Sequence, residues 1–160
     1  MLTLTRKFTT SLLVDVNADG FPDLVLGTDY YNGNADNIVL LNDGSGDFTK
    51  RPEVKLPRSV FGANQSSQDI VAHDVNGDGR IDLIICGTQG EPGYVGRFLQ
   101  ILINNGDGTF RDESSTRLIG SSSKSTGAWN RFIRLADLNG DGVLDIVLNI
   151  NKAIAVNRST

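Results

Sequence analysis

The chain has a single cysteine, Cys86, among its 160 residues. One thiol excludes a disulfide within the chain, and its place in the apolar run "IDLIIC" reads as a small buried hydrophobe. Cysteine usage therefore leaves the compartment open. Apolar runs long enough to span a bilayer are missing. The first residues, "MLTLTRKFTTSLL", lack the clear apolar core and small-residue cleavage site of a secretory leader. There is no basic cluster of the kind that binds nucleic acid, and no segment keeps a helical period.

Aspartate, by contrast, is concentrated. Three short stretches share one pattern, D-x-N-x-D-G-x-x-D: "DVNADGFPD" at Asp15–Asp23, "DVNGDGRID" at Asp74–Asp82 and "DLNGDGVLD" at Asp137–Asp145, separated by 59 and 63 residues. Nine of the sixteen aspartates lie in them, and without those nine the net charge of −4 would be +5. The acidity belongs to the loops and does not describe the whole surface. The only histidine, His73, precedes the second loop where the other copies have Val14 and Ala136. It reads as an ordinary strand residue. No nucleophile or acid pair outside the loops stands in a recognised catalytic setting, so no catalytic residue is assigned.

The stretches between the loops repeat as well. In the second unit, "SQDIVAHD" runs into the acidic loop and "IDLIICG" leaves it, apolar and β-branched. "TQGEPGYVG" is a Gly/Pro-punctuated link, "RFLQILINN" reads as a third strand, "GDG" is a tight turn and "TFRDES" begins a fourth. The first unit matches: "SLLVD", the loop, "DLVLGT", "DYYNGNAD", "NIVLLND", "GSG" and "DFTKRPEV". The third begins with "RFIRLAD" and "DIVLNI" and reaches "AIAVN" without a fourth strand. Four antiparallel strands per unit of about sixty residues describe a propeller blade. The expectation is an all-β chain of about two and a half to three blades, with residues 1–10 as a leftover outer strand and blades over 11–56, 69–116 and 132–160, the last incomplete.

Three carboxylates in nine residues repel one another unless something neutralises them. Positions 1, 3, 5 and 9 offer side-chain oxygens, position 7 can offer its carbonyl, and glycine at position 6 permits a sharp reversal. An all-oxygen set suits a hard cation, calcium best; magnesium demands tighter geometry, and softer metals would want Cys or His. An EF-hand would carry Glu at position 12 before a helix, but Leu26, Ile85 and Leu148 stand there. Asx and Gly chemistry alone makes turns, yet three copies keeping all five marked positions argue for more than a turn.

These loops, the "DLVLG"-like strand after each, and "LLNDGSGDF" and "ILINNGDGTF" resemble the VCBS / FG-GAP repeat, the blade of integrin-alpha propellers and of many secreted bacterial proteins. The resemblance covers nearly the whole chain. It implies up to three calcium ions, held by Asp15, Asn17, Asp19, Phe21 and Asp23; by Asp74, Asn76, Asp78, Arg80 and Asp82; and by Asp137, Asn139, Asp141, Val143 and Asp145. Phe21, Arg80 and Val143 would give carbonyls only. Ala18 departs from the glycine of the other copies, at a position that is not a ligand. Propellers usually have at least four blades, and such relatives typically seven. The chain thus reads as a piece of a longer propeller, whose partners are the remaining blades of a parent chain or a second copy exchanging strand Leu2–Phe8.

The A–B and C–D turns should share one face and the longer links the opposite one. Tyr30, Tyr31, Tyr94 and Trp129, on those links, are candidate ligand-binding residues for a protein or glycan. The reading is a calcium-binding interaction module and scaffold of a secreted or cell-surface protein, concerned with adhesion rather than catalysis. The alternative is the propeller part of an extracellular polysaccharide lyase or hydrolase.

Overall fold

A computed structural model of the chain describes residues 6–29, 36–90, 96–118, 124–126, 130–150 and 153–157. They form three antiparallel sheets. The first contains β1 (Phe8–Val14), β2 (Asp23–Thr28), β3 (Ile38–Leu40) and β4 (Val54–Lys55), paired in that order. The second contains β5 (Gln65–His73), β6 (Asp82–Gln89), β7 (Gly96–Asn104) and β8 (Phe110–Asp112). A short strand β9 (Lys124–Thr126) pairs with the Gly96–Phe98 end of β7, while β8 pairs with its Leu102–Asn104 end. The outer strand of this blade is therefore in two pieces, with the one-turn helix α1 (Ser114–Arg117) in the segment between them. The third sheet is β10 (Asn130–Ala136), β11 (Asp145–Ile150) and β12 (Ala153–Asn157). The all-β, blade-like architecture follows the repeat. Residues 1–5 of the expected leftover strand lie outside the described residues, and Phe8 is the first residue of β1.

Sequence alternation explains how the blades stack. On β6, Leu83 and Ile85 enter one apolar cluster with Val16, Val25, Val39, Leu56, Ile70, Phe98, Leu102 and Phe110. Their neighbours Ile84 and Cys86 enter another, with Leu99, Ile101, Ile103, Ile133, Ile146 and Leu148. Successive side chains of a strand point to opposite faces, so this sheet is buried on both sides, between the first and third. Leu26, Ile38 and Leu40, with Phe8, Leu24 and Phe48 against them, occupy the other face of the first sheet. Cys86 is fully buried in the second cluster, and burial pushes its thiol pKa far up. It is packing, not a nucleophile. Phe61, ahead of β5, sets its ring edge-on to the buried Phe98, with centroids 6.3 Å apart.

The inner strands lie side by side, β1 along β5 and β5 along β10. Each departs from regular pairing near its start, between Phe8 and Thr10, Ser67 and Asp69, and Asn130 and Ile133. These irregularities carry links between sheets. The Thr9 hydroxyl donates to the Ser67 carbonyl, and the Ile133 N–H donates to Asp69 Oδ2 at 2.8 Å.

Candidate cation-binding loops

Each acidic loop joins the first two strands of its sheet, and the three repeat one hydrogen-bonded geometry. The position-1 aspartate accepts from the position-6 glycine N–H: Asp15 from Gly20 at 2.8 Å, Asp74 from Gly79 at 2.8 Å, Asp137 from Gly142 at 2.9 Å. Its other oxygen accepts from the N–H at position 5. The asparagine amide at position 3 donates to the position-5 carboxylate, at 2.9, 2.9 and 2.7 Å. That carboxylate also accepts from the position-7 N–H of Phe21, Arg80 or Val143. Side-chain acceptors thus replace the ladder partners that this reversing backbone lacks.

The reversal needs left-handed backbone at positions 4 and 6. The position-6 glycines have φ of +88°, +82° and +85°, and the position-4 residues Gly77 and Gly140 have +73° and +78°. Ala18, at position 4 of the first loop, takes φ +57°. The alanine that looked incidental in the sequence therefore sits where a Cβ is strained.

The four side-chain oxygen positions divide into two kinds. The closing aspartates Asp23, Asp82 and Asp145 are completely buried. Each accepts from the position-2 N–H of its own loop: Val16 at 2.9 Å, Val75 at 2.9 Å, Leu138 at 3.0 Å. Asp23 and Asp82 each accept a second N–H, from Asn42 just beyond β3 and from Asn104 at the end of β7, both at 2.8 Å. They tie loop to sheet. Positions 3 and 5 lie at or near the surface, while position 1 is half-buried in the first two loops and open in the third. Burial pushes the Asp23 carboxyl above its ordinary range, against the two N–H bonds, and the charges of Asp19 and Asp15 add to the rise. Hydrogen bonds from Asn76 and from the Arg80 N–H hold Asp78 low, and the Arg80 guanidinium pairs with it at 2.6 Å. The Gly142 N–H does most to hold Asp137 low.

The donor chemistry fits a hard cation: carboxylate and amide oxygens with further lone pairs, and no nitrogen or sulfur ligand. Among the described residues no three His, Cys, Asp or Glu side chains converge closely enough to hold an ion by themselves. A cation here needs the Asn oxygen and main-chain carbonyls beside the aspartates.

Position 7 also fixes the surroundings. The Phe21 ring lies over Gly44 and the Arg80 side chain over Gly106, so the first and second acidic loops each share a face with the turn between the third and fourth strands of their sheet. A cleft of about 350 Å³ on that face separates Asp15, Asn17 and Ala18 of the first loop from Arg80 and Gly106 of the second sheet. On the other links, Tyr30, Tyr31, Tyr94 and Trp129 lie outside the described residues. His73 is half-buried on β5 opposite Asp82. Sequence reasoning missed Asn42 and Asn104 as members of the site. The signal was there: an asparagine closes the apolar third-strand run in both "LLND" and "ILINN".

A family model described as the FG-GAP-like repeat matches residues 15–85 and again residues 74–148. Each match starts on the first aspartate of one loop and ends on the strand that follows the next. Comparison with curated proteins and with solved structures gave no match.

Proposed function

Because the chain belongs to the FG-GAP-like repeat family, we propose that it is a calcium-stabilised scaffold and interaction module of a secreted or cell-surface protein, and not an enzyme. The observation that carries the reading is the threefold repetition of one loop geometry. It offers carboxylate and amide oxygens at positions 1, 3 and 5 around a buried closing aspartate. Asp15, Asn17 and Asp19 would hold the ion in the first loop, Asp74, Asn76 and Asp78 in the second, and Asp137, Asn139 and Asp141 in the third. Asp23, Asp82 and Asp145, with the carbonyls of Phe21, Arg80 and Val143, complete the sets. The ion supplies positive charge where like charges crowd a turn. The residues themselves hold the turn reversed, keep the closing carboxylate out of water and present the loops on one face. Extracellular calcium modules work at Kd of about 10⁻⁴–10⁻³ M, which suits such a location. No helix among the described residues is long and apolar enough to cross a membrane.

The test is a thermal melt with calcium and with EGTA, beside a calorimetric titration. A site of Kd about 10⁻⁴ M at 1 mM calcium contributes about 1.5 kcal/mol. Calcium should raise Tm and bind with a stoichiometry of up to three. An unchanged melt with no heat of binding sinks the calcium reading.

A further inference from the structure

The first and second loops are joined by an unbroken run of hydrogen bonds, buried in all but its last link. Asp23 Oδ2 accepts from the Val16 N–H at 2.9 Å. The Val16 carbonyl accepts from Asn104 Nδ2 of the next sheet at 2.6 Å. The Asn104 backbone N–H donates to Asp82 Oδ1 at 2.8 Å, and Asp82 Oδ2 accepts from the Val75 N–H at 2.9 Å. Asn104, Asp23 and Asp82 are 0% exposed and Val16 is 3% exposed. Asn104 is held on its remaining sides too: Nδ2 donates to the Ile81 carbonyl at 2.8 Å and Oδ1 accepts from the Gly106 N–H at 2.8 Å.

From this we infer that Asn104 is a positioning residue that transmits order between the two loops, so that they bind calcium cooperatively. The inference rests on the calcium reading for its ligand, but the transmission itself does not. Val16 and Ile81 both line the cleft between the loops, and one side chain holds the carbonyls of both. Val16 is buried, and a buried carbonyl left unpaired costs more than one at the surface. If the second loop loosens, Asp82 no longer fixes Asn104, and the Val16 carbonyl loses its partner. A cation that orders the second loop therefore lowers the cost of ordering the first, and the reverse holds by linkage.

The first sheet supplies an internal control. Asn42 stands at the equivalent position: its N–H donates to Asp23 Oδ1 at 2.8 Å, its Nδ2 to the Pro22 carbonyl at 3.1 Å, and its Oδ1 accepts from Gly44 at 3.0 Å. Among the described residues it makes no hydrogen bond to another sheet. The two asparagines share their local role and differ in the link across the cleft.

The experiment titrates the full chain with calcium chloride and follows the amide resonances of Gly20 and Gly79, one in each loop. Asp78→Ala disables the second loop. With Asn104 present, Asp78→Ala should raise the calcium needed for half-saturation at Gly20 about fivefold, the lower range of allosteric coupling. In an Asn104→Ala background that dependence should vanish, and in an Asn42→Ala background it should persist. A metal-free arm measures amide exchange in EGTA. There Asn104→Ala should speed exchange at Val16 and Gly20 across the boundary, and Asn42→Ala should leave Val75 and Gly79 unchanged. Should Asn104→Ala unfold, Asn104→Ser, too short to reach Val16, replaces it. Independent titration of Gly20 and Gly79 in the parent chain, or a dependence that survives Asn104→Ala, overturns the inference. If neither glycine responds to calcium, the calcium reading and the cooperativity both fall, and the exchange arm alone decides whether Asn104 transmits order.

Discussion

Single residues in the acidic loops play unequal parts, and substitutions should sort them. Ala18 holds φ +57° where its counterparts are glycine. Left-handed backbone costs a non-glycine residue about 1–2 kcal/mol, and glycine gives back part of that through its own unfolded-state entropy. Ala18→Gly should therefore stabilise the chain by about 0.5–1 kcal/mol in urea titration; a loss of stability would show the strain argument to be wrong. The aspartates offer a sharper contrast. Asp82→Ala strands the buried N–H of Asn104, at about 1–3 kcal/mol, and the part-buried N–H of Val75. Asp78 is exposed and holds a loop at the surface. In EGTA, Asp82→Ala should lower stability by several times the effect of Asp78→Ala, while either removes one calcium from the stoichiometry. Equal effects in EGTA would mean that the closing aspartate is no anchor.

Among the elements, the middle sheet carries the packing. β6 and β7 are buried on both faces, and Phe98 of β7 is 0% exposed, in the cluster shared with the first sheet. Its ring fills the space over Gly87, where an added Cβ would stand 2.6 Å from it. Phe98→Ala should cost about 3–5 kcal/mol and weaken the first and second sheets together, because one ring serves both. A chemical denaturation that lost only one sheet would contradict that shared core. Gly27 makes the complementary point on β2. A Cβ there would meet Thr10 Cγ2 at 2.5 Å and Ser67 Cβ at 2.9 Å, so close approach of β1 and β5 requires the glycine.

The whole molecule should respond to acid in a direction its carboxylates set. Asp43, Asp47 and Asp107 are held below the ordinary value of 3.8 by the hydroxyl and N–H of Ser45, Thr49 and Thr109. Asp78 and Asp137 are held low by loop hydrogen bonds. For Asp36, burial acts upward but Arg58 and Lys55 outweigh it, and Arg117 and Arg111 hold Glu113 below 4.5. A carboxylate whose pKa is lower in the folded chain binds fewer protons there than when unfolded. Its contribution is present above the unfolded value and is lost as pH falls through the folded one. Asp23, raised by burial, acts the other way and favours the fold when protonated. Among the described residues, seven lowered carboxyls against one raised predict that Tm in EGTA falls as pH drops below about 4.5, steepening below 3.8. A Tm that rises over that window would reverse the assignment.

What the sequence determined by itself is what short-range chemistry controls. The bonds within each acidic loop span two to seven residues, as from Asp15 to Gly20 and from Val16 to Asp23, so the pattern D-x-N-x-D-G-x-x-D carries them in plain view. Alternation likewise marks which residues of β6 part to opposite faces. The tertiary structure alone decided which donor does what. Asp23 meets Asn42 from 19 residues away, Asp82 meets Asn104 from 22, and Asn104 reaches Val16 from 88. Such partners become neighbours only when strands pair and sheets stack, and no local spacing records them. The strain at Ala18 was hidden for a related reason: a residue's backbone angle is set by the turn it must close, which its name does not state. In the sequence, the four positions that offer side-chain oxygens looked alike. In the fold, burial divides them into anchors within the sheet and donors at its surface.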